Sequence, residues 1–290
     1  MRGQNKVFLI FLFYCLSIDQ AISLHCYISS IPFVLQYNVT IDTLPSFANN
    51  TLVTTNGFCS LTVLWLRVQP SSMIIFGYDV ESIGYDSLTA RVQYQLGGAA
   101  IDVDQSRTIE YRCKSADGCN NGTNLERILR SLYLREDFSP RFDTFLALNA
   151  SFNNESIDHC LFYKNTTDQC PPKDVNCLQC QITMNVIKSM NSEICATCPP
   201  TVNDGNLIQR YITYDLINRT IIADQTLIGC QSSNQCNSLT NIDQVLQYNS
   251  IQFSFEKFSP QTSSSPRLQL FVGQPFNLFI FIFILLLKFE

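Results

Sequence analysis

Alternating and β-branched runs dominate the middle of the chain. Thr51-Leu52-Val53-Thr54-Thr55 reads as a strand, Asn56-Gly57 follows, and residues 58–68 resume with apolar side chains at every second position. Asn-Gly accepts the positive φ of a tight turn, so the whole stretch is expected to form a β-hairpin. Residues 73–80, 88–96 and 108–113 extend the pattern, and 181–187 and 211–222 repeat it further on. Helical spacing is confined to two short places. Asn124 precedes Leu125, Ile128 and Leu129, and Asn241 precedes Ile242, Val245 and Leu246. Each asparagine stands where an N-cap is expected, ahead of one apolar helix face.

These two places belong to a repeat. Cys113-Lys114-Ser115-Ala116-Asp117-Gly118-Cys119-Asn120 returns as Cys230-Gln231-Ser232-Ser233-Asn234-Gln235-Cys236-Asn237, and the helix residues follow at the same offset. Upstream, Tyr94 and Tyr211 lie equally far from their cysteines. The expected fold is therefore mainly β, with two tandem disulfide-stabilised antiparallel β modules, residues 24–145 and 146–255, each closed by a short α-helix. Trp65, the only tryptophan, is assigned to the core.

Both ends carry addressing patterns. Arg2 and Lys6, the apolar run 7–16 and Ala21-Ile22-Ser23 form a signal peptide, residues 1–23, with small residues before the cleavage point. Ser263-Ser264-Ser265, a polar spacer and the apolar tail 276–287 match a glycosylphosphatidylinositol attachment signal. Residues 256–275 are then a Ser/Pro-containing linker with lipid attachment at Ser263, and 276–290 a removable tail. Its rival, a transmembrane helix, needs roughly 20 apolar residues. Between the two addresses lie N-x-S/T sequons at Asn38, Asn49, Asn121, Asn149, Asn154, Asn165 and Asn218, the signature of a glycoprotein. The expected destination is the extracellular face of the plasma membrane, reached by the secretory pathway.

Cysteine usage agrees with that route. Cys15 falls in the signal peptide, leaving Cys26, Cys59, Cys113, Cys119, Cys160, Cys170, Cys177, Cys180, Cys195, Cys198, Cys230 and Cys236, an even set read as disulfides in an oxidising compartment. Cys113 with Cys119 and Cys230 with Cys236 are expected as short loops, and Cys26 with Cys59 as the remaining pair of the first module. Cys177, Cys180, Cys195 and Cys198 also have the spacing of a four-thiolate zinc site or a pair of redox motifs. That is the alternative function class, a secretory-pathway thiol or zinc protein.

Composition narrows the field further. With 19 basic against 24 acidic side chains and pI near 5.1, the chain has no material for a nucleic-acid groove. Its two histidines, His25 and His159, leave little for a nucleophilic triad. Paired carboxylates such as Asp102 and Asp104, or Asp79 and Glu81, have nothing to mark them beyond a strand edge. No enzyme, no cofactor and no metal are expected.

The repeated Cys-x5-Cys-Asn ending ahead of a lipid-anchor signal resembles the lymphocyte-antigen-six and urokinase-receptor superfamily. The residues that carry the resemblance are Cys113, Cys119, Asn120, Cys230, Cys236 and Asn237. It implies that each asparagine packs into the base of a three-finger disulfide fold whose fingers bind protein partners. The chain departs from the family in its wider cysteine gap, its few cysteines in the first module and its helix after Cys-Asn. The expected function is an extracellular binding module with an unknown extracellular protein or ligand as partner, or else a structural coat or adhesion component.

Overall fold

The computed structural model describes residues 23–66, 70–80, 85–96, 103–136, 160–165, 170, 179–187, 192–198, 206–230 and 235–258. All belong to one unit, Met1–Phe258; the other, Ser259–Glu290, lies outside the described residues. The fold is mainly β, antiparallel throughout and disulfide-bonded.

Its strands are β1 (Leu24–Ile28), β2 (Phe33–Leu35), β3 (Thr51–Thr55), β4 (Phe58–Leu66), β5 (Ser71–Asp79), β6 (Ser87–Leu96), β7 (Val103–Cys113), β8 (Leu132–Glu136), β9 (Tyr163–Lys164), β10 (Cys180–Ile187), β11 (Glu193–Thr197), β12 (Asn206–Asp215), β13 (Thr220–Cys230) and β14 (Asn249–Phe253). Among the described residues the helices are α1 (Gly122–Ser131), α2 (Leu239–Tyr248) and α3 (Phe255–Phe258), with a 3-10 turn at Ile41–Thr43. Ten strands share one sheet in the order β2-β5-β4-β7-β6-β12-β13-β10-β11-β9. Two strand pairs stand apart from it, β1 with β3 and β8 with β14.

The sheet order reads the same from its centre outward. From β6 the neighbours are β7, β4, β5 and β2; from β12 they are β13, β10, β11 and β9. Cys59 faces Cys113 across β4 and β7, and Cys180 faces Cys230 across β10 and β13. Strands β7 and β13, helices α1 and α2, and strands β8 and β14 all lie 117 residues apart. At the centre, Arg91 of β6 pairs with Tyr211 of β12.

Period-2 patterning explains which face is buried. Leu61, Val63 and Trp65 of β4, Ile74 and Phe76 of β5, Leu88, Ala90 and Val92 of β6 and Ile109 and Tyr111 of β7 all point into one core. Leu125 and Ile128 of α1 join it, fully buried one turn apart, each stabilising the fold by about 1.5–3 kcal/mol. Ile212, Tyr214 and Ile251 belong to that same cluster, so the later part of the chain helps to build the core of the earlier part. A smaller cluster holds Ile182, Ile208, Ile228, Ile242 and Val245 together with the second set of cysteines.

Three local expectations are corrected. Strands β3 and β4 do not pair as a hairpin: β3 pairs with β1 and β4 with β5 and β7. Gly57 is required for space, because a Cβ there would lie 1.8 Å from the Asp79 carbonyl oxygen. The helix N-caps are Asn121 and Ser238, whose side chains accept from the backbone N–H of Asn124 and Asn241. Asn124 and Asn241 sit a turn inside and donate back to the carbonyls of Cys119 and Cys236, at 2.6 and 2.8 Å. Finally, Tyr94 and Tyr211 are not equivalent. Tyr94 is buried opposite Ile208, whereas Tyr211 is on the other face opposite Arg91, because pairing with β7 and β13 shifts the match within β6 and β12 by an odd number of residues.

Candidate functional site

The repeated Cys-Asn loops occupy matching positions. In the first, the Cys113–Cys119 disulfide closes a short loop after β7 and leaves Asn120 completely buried. Its side-chain oxygen accepts from the Tyr27 N–H at 2.9 Å, and its amide nitrogen donates to the carbonyls of Tyr27 and Ser60 at 2.8 Å and of Gly77 at 3.0 Å. One side chain thus ties β1, β4 and β5 together. In the second, Asn237 accepts from the Leu161 N–H at 2.9 Å and donates to the carbonyls of Leu161 at 2.9 Å and Gln181 at 3.2 Å. Tyr27 and Leu161 each follow the cysteine bonded to Cys59 or Cys180. Every polar atom of these asparagines is spent on backbone, so their work is to hold strands together.

Charged groups near the first loop are held from outside. Gly118, at φ 62°, donates to the His25 carbonyl, and a Cβ at this position would lie 2.9 Å from the Tyr27 ring. The His25 N–H donates to Asp117 at 2.8 Å, which is the main reason that carboxyl is held below its ordinary range, while the His25 ring lies 3.2 Å from the other oxygen. Burial pushes the Tyr111 and Tyr214 hydroxyls above the ordinary phenol range, with Asp86 and Asp224 adding to the rise. Neither tyrosine is suited to proton transfer near neutrality.

The second face of the sheet has the opposite character. Thr62 and Leu64 of β4, Thr108 of β7, Thr89, Arg91 and Gln93 of β6, Gln209, Tyr211 and Thr213 of β12, Gln225 of β13 and Thr183 and Asn185 of β10 are half-exposed along it. The Thr89 and Thr213 hydroxyls share a hydrogen bond of 3.1 Å across the central strand pair, and Gln225 donates to Asn185 at 2.6 Å. The Arg91 guanidinium lies 6.0 Å from the centre of the Tyr211 ring. Cross-strand pairs of this kind stabilise a sheet while leaving a flat hydrogen-bonding surface. Sequence periodicity alone did not pick it out, since these residues carry no motif and come together only by strand register.

The cysteine expectations divide. Cys26 is bonded to Cys59, Cys113 to Cys119 and Cys230 to Cys236. The four-thiolate and redox alternatives fail: Cys180 is bonded to Cys160, Cys195 to Cys170, and Cys198 is also in a disulfide, so these sulfurs are not available as thiolates. Among the described residues no group of histidine, cysteine, aspartate and glutamate could hold a metal ion. Asp79 lies beside Arg112, 3.1 Å away. Asp102, Glu81, His159 and Cys177 lie outside the described residues, as do the side chain of Asp104, the sequons at Asn149 and Asn154, the signal segment 1–22, Ser263 and the tail. Among the described residues no helix is long and apolar enough to cross a membrane.

No family model, no curated protein and no solved structure matches the chain.

Proposed function

We propose that the protein is a cell-surface glycoprotein, lipid-anchored near Ser263, that binds an extracellular protein through the half-exposed polar face of its ten-stranded sheet and the loops around it. The observation that carries the reading is the set of disulfides anchored on strands β4, β7, β10, β11 and β13 of the sheet, which fits an oxidising compartment. The broad half-exposed face supports the binding role, because its threonines, glutamines and Arg91–Tyr211 pair offer donors, acceptors and one aromatic plane, beside the paired charges of Glu110 and Arg112.

Two tandem β modules, each closed by a helix and paired through β6 and β12, belong to this reading. The mirrored strand order and the 117-residue offset of the helices support it. The superfamily resemblance enters here as well. In its favour, the buried Asn120 and Asn237 tie the residue after the first cysteine of each half to strands β4, β5 and β10.

Treating intact cells that express the full chain with a phosphatidylinositol-specific phospholipase tests the reading. An epitope placed after Leu24 is expected in the medium, on protein without free thiols. An intracellular, thiol-rich product overturns it.

A further inference from the structure

Beside the first core lies an apolar cleft of about 320 Å³, between the chain at 38–41 and strand β8. Trp65, Leu129 and Leu132 line it, with Asn38, Arg107 and Tyr133 among its remaining residues. The Trp65 Nε1–H donates to the Val39 carbonyl at 3.0 Å and holds that chain against the core. Val39 is buried, so its neighbours Asn38 and Thr40 are turned out to solvent. Tyr133 is 56% exposed although the cleft is apolar, which leaves an aromatic ring partly wet beside it.

Asn38-Val39-Thr40 is also a glycosylation sequon. The described sequons are not equivalent. At Asn121, Asn165 and Asn218 the amide nitrogen that would carry the sugar already donates, to the Gly118 carbonyl, the Ser192 carbonyl and Asp215. Asn38 and Asn49 are exposed and take part in no such bond, and of the two only Asn38 borders the cleft.

We propose that Asn38 carries an N-linked glycan whose first N-acetylglucosamine packs into this cleft against Tyr133. The inference rests on the secretory reading above. Attachment forms a bond between the Asn38 Nδ2 and the sugar C1 while the bond from C1 to a polyprenyl pyrophosphate donor breaks. The amide gives up one proton, and the pyrophosphate lipid leaves with the electron pair. The apolar C–H face of the sugar then covers the tyrosine ring and the leucines, and its hydroxyls face solvent and Arg107. Because the sugar is tethered at the cleft itself, its effective concentration there is on the order of millimolar or higher, which favours a contact too weak to hold the free sugar. The cleft is thereby a shelf for the protein's own glycan.

The test uses the full chain secreted from eukaryotic cells. Glycopeptide mass spectrometry reads each described sequon, and hydrogen exchange follows residues 129–134 in the folded protein before and after enzymatic removal of the whole glycan. Asn38 is expected to be occupied. Stripping speeds exchange at 129–134 several-fold, trimming to a single N-acetylglucosamine leaves it slow, and Tyr133→Ala abolishes the difference. Asn38→Gln should match the stripped protein and Thr40→Ser, which keeps the sequon, should match the wild type; stripping a folded protein gives the same answer should Asn38→Gln fail to fold. A bare Asn38 with other sequons occupied overturns the inference and leaves the secretory reading standing. An occupied Asn38 whose removal changes nothing at 129–134 also overturns it. A chain bare at every sequon overturns both.

Discussion

The first half of the sheet and the second half follow one plan but are filled differently. Around β4, β5 and β7 the core is aromatic: Phe33, Phe47 and Phe76 meet at 4.9–6.1 Å, with Trp65 and Tyr111 in the same cluster. Around β10, β11 and β13 the corresponding interior is isoleucine, alanine and cystine. Strand pairing sets Ala196 where the first half has Phe76, and sets Cys195, bonded to Cys170, where it has Ile75. A skeleton of hydrogen-bonded strands can therefore be stabilised by bulk or by covalent closure. Bulk acts by removing apolar surface from water, whereas a disulfide acts chiefly by restricting the unfolded chain.

The largest expected effect comes from giving the first half the second half's residue. Phe76→Ala removes the ring that Phe33 and Phe47 pack on, and should cost about 4 kcal/mol in denaturant unfolding of the disulfide-intact protein. A loss below about 1 kcal/mol would mean that the aromatic cluster carries little of the stability.

The buried asparagines sharpen the comparison. Asn120→Ala strands four backbone hydrogen bonds and Asn237→Ala strands three. Losses of about 3 and about 2 kcal/mol are expected in that order. Equal losses would show that the fourth bond, to Gly77, contributes nothing.

A smaller effect separates the two disulfide loops. Gly118 and Gln235 occupy the same repeat position, at φ 62° and 60°. Only glycine enters that region without strain, so Gln235→Gly should stabilise by about 1 kcal/mol. Gly118→Ala should destabilise, since it adds a clash with Tyr27 to the backbone cost. Thermal melting of the two variants checks the opposite signs.

The smallest effect is a pH dependence shared by both halves. Tyr111 and Tyr214 are held above the ordinary phenol value of 10.0 by burial first and then by Asp86 or Asp224. Their folded-state values exceed their unfolded ones, so the stability they contribute is present in full below pH 10.0 and is lost as pH rises above it. Unfolding midpoints should fall on that alkaline side, and Tyr111→Phe should flatten the fall.

Much of the plan was legible in local pattern. Strands showed through period-2 burial, as in 58–66, and the two helices through the spacing of Leu125 with Ile128 and Ile242 with Val245. What misled was chemistry with two uses. Gly57 follows an asparagine and imitates a turn, yet it is glycine because the Asp79 carbonyl passes over it. Cys177, Cys180, Cys195 and Cys198 imitate a zinc site, but Cys180 and Cys195 are bonded to cysteines of other segments. Tyr94 and Tyr211 match in spacing but not in face, since spacing measures chain length and a strand's faces alternate with every residue.

By itself the sequence determined the strand-rich class, the repeated Cys-x5-Cys-Asn segments and the two helices that follow them, because each follows from neighbours along the chain. Tertiary structure decided the rest. It set β6 against β12 to join ten strands in one sheet, and drew Tyr214 and Ile251 into the core of the first half. It also gathered Thr89, Arg91, Tyr211 and Thr213 on one face, and placed Asn38 beside the cleft at Tyr133. Those outcomes depend on register and packing between residues far apart in sequence, where a shift of one position turns a buried side chain outward.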